Sequence, residues 1–126
     1  MESGSPSNVG SMTLPPRTAT HADAPLHYDQ QGVAIGLVDI DTYLGECLAL
    51  HVESAGPVVT IKDIDVALSD IPWGLASRVP LRTCAQASIA EWNNDFKAVS
   101  ADAIDWLAER GVKLIGIDTP SLDLQN

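Results

Sequence analysis

A chain of 126 residues, 45% hydrophobic and 19% charged, has the length of one domain and the apolar content for a core, since such a chain buries roughly two thirds of its unfolded surface. Seventeen acidic against seven basic residues give a net charge of -10, which repels phosphate backbones and anionic lipid and argues against nucleic-acid and membrane partners. MESGSPSNVG has no basic-then-apolar leader and no later apolar run reaches bilayer length, so the expected location is the cytoplasm, with Cys47 and Cys84 as small buried hydrophobes of a reducing compartment.

In chain order, Val9, Met12 and Leu14 suggest a first strand that Pro15-Pro16 stops, and Thr18 to Asp23 reads as a short extended piece between prolines. Residues 28–42, with Gly32 and Gly36 but no phosphate-loop pattern, read as loop. CLALHV, residues 47–52, is a compact apolar run read as a buried strand, in which His51 is expected as a hydrogen-bonded structural histidine. Thr60 with Asp63 three residues on predicts the start of a short helix through Leu68. Arg78 to Thr83 reads as a strand whose Pro80 asks for an edge or a bulge. Ser100 caps the clearest helix, with Ile104, Leu107 and Ala108 as its apolar stripe and Gly111 just past its end. VKLIGI, residues 112–117, is then a buried strand running into Asp118. Helix followed by strand, ending in a polar loop, is the α/β arrangement that sets functional groups at strand C-terminal ends.

The stretch HADAPLHY, residues 21–28, holds two of the three histidines of the chain. In an extended segment side chains at i and i+2 leave the same face, so His21 and Asp23 converge on one point, and imidazole with carboxylate is a donor pair that zinc takes in catalytic sites. His27, four residues past Asp23 and separated from it by Pro25, which fixes the local backbone, has the chemistry of a general acid or base. The plain structural alternative stays open from spacing alone: His21 ends a strand, Asp23 makes an Asx-turn and His27 is a surface residue. Elsewhere, Asp118 and Asp123 bracket a Thr-Pro-Ser loop with a turn-stabilising role as the default. Trp73, Trp92 and Trp106 read as packing, and the Asp39-x-Asp41 and Asp63-x-Asp65 pairs, without the Gly and Glu of a calcium loop, as solvated acids.

TATHADAPLHY at 18–28 resembles the H-x-G-T-H-x-D-x-P-x-H signature of the cyclase-like metal hydrolases, and GIDTPSLD at 116–123 is similar to a second stretch of their bacterial kynurenine formamidase branch. The likeness runs through nearly the whole chain, DTYLGEC and LAERGVKLIGIDTPSLD included. It implies an α/β fold, the swivelling β/β/α domain of that family, here incomplete and spanning 1–126 as a single partial domain. It implies hydrolysis of N-formyl-L-kynurenine to L-kynurenine and formate in tryptophan catabolism, a homodimer, and one or two divalent metals, mostly zinc. Carried over by position, His21 is a metal ligand, Asp23 a metal-bridging carboxylate, and His27 the catalytic proton donor and acceptor; Asp118 and Asp123 fall toward the active-site face.

The first histidine of the signature falls on Arg17 and its glycine on Ala19. A guanidinium has no lone pair for a cation, so Arg17 opposes metal binding; it either pairs with Asp23 or turns to solvent. Against the family pattern the chain is also expected to be short at both ends, lacking an N-terminal aromatic segment and a C-terminal histidine and glutamate. Three readings follow: a formamidase-like metal hydrolase of doubtful own activity, a non-catalytic remnant serving as a structural or dimerising domain, and a sister hydrolase acting on another amide or a cyclic substrate.

Overall fold

The computed structural model describes residues 9–15, 18–71, 75–84 and 94–124. It divides into two units, Met1–Val38 and Asp39–Asn126.

The larger unit is a mixed α/β structure built on parallel strands. Strands β1 (Leu50–His51), β3 (Arg78–Arg82) and β5 (Leu114–Ile117) form one sheet in the order β1-β3-β5, while β2 (Val58–Val59) pairs with β4 (Ala98–Val99). Leu50 stands opposite Leu81 and Val79 opposite Ile115, so apolar side chains meet across the register. Helix α1 (Ile61–Leu68) packs on β1 and on helix α2 (Ala101–Glu109). Ile64 and Leu107, both buried, join Leu50, Val79 and Leu81 in one core.

The apolar run at 47–52 is apolar on one face only. Leu50 and Val52 are buried, but Cys47, Ala49 and His51 are exposed. His51 is therefore a surface residue and Cys47 an exposed thiol, against the buried roles expected of them. Strand β5 is likewise half-buried along its length, as suits the edge of this sheet.

Pro80 lies in the central strand and not at an edge. The Leu48 and Val52 N–H groups donate to the Arg78 and Arg82 carbonyls, 2.9 Å each, so even-numbered residues of β3 turn their backbone groups toward β1. The N–H that Pro80 lacks would have pointed just ahead of Leu50, where β1 has barely begun, and the ladder loses little.

Both helices follow their local signals. At α1 the Asp63 carboxylate accepts from the Thr60 N–H at 2.8 Å and the Thr60 hydroxyl at 2.6 Å, in a capping-box arrangement. At α2 the Ser100 hydroxyl accepts from the Ala103 N–H. The helix ends as a Schellman motif, with Gly111 at φ 87°, its N–H on the Ala108 carbonyl and the Val112 N–H on that of Leu107. The buried stripe is Ala103 and Leu107, with Ile104 half-buried; Ala108 faces solvent. Trp106 packs against the core with the Arg110 guanidinium 3.8 Å above its ring, in line with a packing role, while Trp73 and Trp92 lie outside the described residues. Ser100→Ala is expected to lower stability by about 1 kcal/mol without changing the helix content at low temperature, measured by urea unfolding followed by circular dichroism.

Arg78 is the buried cation among the described residues of this unit, 9% exposed. Its Nε donates to the Thr42 carbonyl at 3.0 Å, its Nη2 to that of Asp41 and its Nη1 to the Ser77 hydroxyl. Those carbonyls close the 3-10 turn Ile40–Thr42, where a cation is favoured. Gly45, at φ 137°, lets the guanidinium approach: a Cβ there would stand 2.6 Å from Nη1.

The Met1–Val38 unit carries two 3-10 turns, Pro25–His27 and Ile35–Leu37, in the region read as loop or extended chain. Residues 9–15 form no strand; Val9, Met12 and Leu14 are 86%, 80% and 60% exposed, their imperfect alternation finding no partner ladder. None of its described residues is buried.

Candidate functional site

Residues 18–28 build the site from the backbone outward. Thr18 folds back on Pro15, its N–H and hydroxyl both donating to the Pro15 carbonyl. Ala19 then takes the left-handed conformation, φ 61°, where a side chain crowds the backbone and glycine does not. This is the position of the signature glycine, and the extended piece expected from Thr18 to Asp23 is thus bent through its first three residues.

The Ala19 bend brings its carbonyl to 2.8 Å from His21 Nδ1. A carbonyl only accepts, so Nδ1 carries the hydrogen and Nε2 of the neutral ring presents a lone pair. That Nε2 faces Asp23 Oδ1 at 3.8 Å. Two acceptors set face to face repel unless a proton or a metal ion lies between them. Ala19→Gly is expected to keep this arrangement and to add about 1 kcal/mol of stability by relieving the left-handed alanine, read from thermal unfolding.

Beyond Asp23 the chain is extended at Ala24, and Pro25 opens a 3-10 turn by fixing φ at its first position. The His27 N–H donates to the Ala24 carbonyl at 2.9 Å, and this turn swings His27 back over Asp23. His27 Nε2 stands 4.0 Å from Asp23 Oδ2, and the Tyr28 ring meets the His27 ring edge-on at 4.7 Å between centroids. The Asp23 carboxylate thus offers one oxygen to each imidazole. The three groups named from the sequence are brought together, half-open to solvent, with side chains 29%, 28% and 37% exposed for His21, Asp23 and His27.

The donors of His21 and Asp23 can be tested against zinc. Two donors each about 2.0–2.2 Å from a shared tetrahedral zinc stand about 3.4 Å apart, so the 3.8 Å gap needs to close only slightly. The pair fits one edge of a coordination shell. Among the described residues no group of three or more His, Cys, Asp or Glu could hold a metal ion, so the pair is an edge and not the whole shell. Arg17, expected to pair with Asp23 or to face solvent, lies outside the described residues.

A second polar cluster closes the C-terminal ends of β3 and β5. Asp118 directly follows β5 and accepts from the Thr83 N–H at 2.9 Å, the Thr83 hydroxyl at 2.7 Å and the Cys84 N–H at 3.2 Å. The Cys84 thiol is 3.0 Å from Asp118 Oδ2. Burial alone would raise the Asp118 carboxyl, but the bonds from Cys84 and Thr83 outweigh it and hold it below the ordinary carboxylate range. The same contact with Asp118, then burial and the carboxylate charge, pushes the Cys84 thiol up. Asp118 is therefore a cross-strand brace and not the stabiliser of its own turn, and Cys84 is a half-buried, hydrogen-bonded thiol. Sequence reasoning missed this pairing, and it missed Ala19, whose carbonyl orients His21; the misplaced signature glycine was the available signal for the latter.

The smaller unit turns two imidazoles about one carboxylate, and the larger unit sets polar groups at the ends of parallel strands. The sequence model of the Cyclase family, described as "Putative cyclase", matches residues 4–124. The chain belongs to that cyclase-like hydrolase family, and its mixed α/β fold accords with the family architecture.

Proposed function

We propose that the protein is a metal-dependent amide hydrolase of kynurenine formamidase type, cleaving N-formyl-L-kynurenine to L-kynurenine and formate. The observation that carries this reading is the Asp23 carboxylate flanked by His21 Nε2 and His27 Nε2 at 3.8 and 4.0 Å inside the family-matched stretch. The finer assignment, to the formamide and to tryptophan catabolism, is supported by the likeness of 18–28 and 116–123 to that branch.

In this reading His21 Nε2 and Asp23 Oδ1 hold a divalent cation, zinc first. Such an ion polarises a carbonyl and favours ionisation of a water. The Ala19 carbonyl fixes the His21 ring so that Nε2 faces Asp23 Oδ1. His27 serves the proton transfers: as base it accepts a proton at Nε2 from the attacking water, and as acid it returns it to the departing amine. A homodimer belongs to the same reading.

The test is formate release from N-formyl-L-kynurenine and from a simple formanilide by the purified chain, with its zinc content measured after dialysis. Turnover of N-formyl-L-kynurenine with retained zinc is the expected result. Turnover of the formanilide alone points to a sister hydrolase of another amide. No turnover and no retained zinc points to a non-catalytic structural or dimerising domain.

A further inference from the structure

We infer that Gly32 is a positioning residue for His27, acting by permitting a backbone contact that sets where the imidazole stands relative to Asp23; the inference rests on the proposed hydrolase only for the role of His27 itself. Asp29, just after the His27 turn, begins a tight turn: its carbonyl accepts from the Gly32 N–H at 2.8 Å and its carboxylate from the Gln31 N–H at 2.9 Å. Asp at the first and Gly at the fourth position suit such a turn. The turn carries the chain back so that the Leu26 N–H donates to the Val33 carbonyl at 3.2 Å, and the Asp29 N–H returns to the Pro25 carbonyl at 3.0 Å. Gly32 is thereby pressed on the peptide that opens the His27 turn. A Cβ built on it would stand 2.5 Å from the Pro25 carbonyl carbon, 2.7 Å from its oxygen and 2.7 Å from the Leu26 nitrogen.

All three atoms are backbone, so no side chain can swing aside. Any side chain at position 32 displaces the Pro25–Leu26 peptide by roughly 1 Å, given ordinary non-bonded separations. His27 is the next residue of that same rigid turn, and moves with it. Gly36 is the matched control: a Cβ there meets nothing within 4 Å.

The experiment compares Gly32→Ala, Gly36→Ala and Asp29→Ala in the full chain, by proton–carbon correlation spectra of the histidine rings and by steady-state kinetics. With three histidines, the spectra resolve each ring, and His51 in the larger unit reports general damage. Gly32→Ala is expected to shift the His27 ring signals and leave those of His51 in place, with kcat lower by about 10- to 100-fold and KM changed by less than about twofold. Gly36→Ala behaves as wild type. Asp29→Ala loosens the same turn without adding volume and gives a smaller displacement of the same His27 signals, which decides the matter should Gly32→Ala fail to fold. His27 signals and kcat at wild-type values in both Gly32→Ala and Asp29→Ala overturn the inference, as does a His51 displacement as large as that of His27. If the wild-type chain releases no formate, the functional reading falls, and the ring signals still decide whether Gly32 places His27.

Discussion

Replacement of His27 by alanine is expected to slow formamide hydrolysis by about 10²–10⁴-fold, the usual worth of a positioned acid–base group, while the zinc content of the chain stays unchanged. Two features separate His27 from His21. The His21 ring is tied at Nδ1 to the Ala19 carbonyl, so its one remaining nitrogen is committed to the space beside Asp23 Oδ1. The His27 ring stands on a 3-10 turn, edge-on to Tyr28 and more open to solvent, at the other oxygen of Asp23. A group that must pick up and release protons needs that access, whereas a ligand needs a fixed direction. His21→Ala should accordingly deplete zinc, with turnover falling in proportion to the metal lost and recovering in part at high added zinc. His27→Ala should show no such recovery. Metal analysis beside steady-state kinetics distinguishes the two, and an exchange of the two patterns would reverse the assigned roles.

The contrast between what was legible in the sequence and what was not follows the range of the forces involved. Both helices were readable because their ends are written within four residues: Asp63 against Thr60, Ser100 against Ala103, and Gly111 where the left-handed residue had to fall. His21 and Asp23 were readable for the same reason, since two-residue spacing sets their common direction. What the spacing left open was how His27 reaches them, which depends on the Pro25 turn and on the return of Gly32 against it. Residues 28–42 read only as loop, so neither the turn at 29–32 nor its contact with Pro25 was legible.

Burial was the weak point, because it is decided by partners distant in the chain. CLALHV contains enough apolar residues for a strand covered on both faces, yet Cys47, Ala49 and His51 face solvent while Leu50 and Val52 meet the core. Pro80 argued against a central strand on the assumption of a full-length neighbour; β1 is too short beside it for the missing donor to count. Ala108 continues the periodic stripe of α2, but Ala103 and Leu107 already fill the contact with α1 and the strands.

Asp118→Ala is expected to cost about 2–3 kcal/mol of stability, because it leaves the half-buried N–H groups of Thr83 and Cys84 without their acceptor in one step. The register makes this a joint between strands: Leu81 pairs with Ile117, so the residues just beyond each strand, Thr83 and Asp118, meet although 35 positions apart. Since the Asp118 carboxyl lies below its ordinary range in the folded chain, folding favours the ionised form. Its contribution is complete above the unfolded-state value near 3.9, and is lost as pH falls through the lower folded value. Wild type should therefore lose stability on acidification below about pH 4 by a component that Asp118→Ala lacks, which urea unfolding across that range measures. Cys84 supplies an independent readout with the opposite sign. Its thiol is raised by the bond to Asp118, so the thiolate is scarce near neutral pH, and stability tied to the protonated thiol disappears only as pH rises through that raised value. Removing the carboxylate should speed alkylation of Cys84 at mildly alkaline pH, with the exposed Cys47 as the internal reference whose rate does not change. Equal alkylation rates at Cys84 in wild type and Asp118→Ala would show that the thiol does not lean on this carboxylate, and the brace would then consist of the Thr83 bonds and the Cys84 N–H bond.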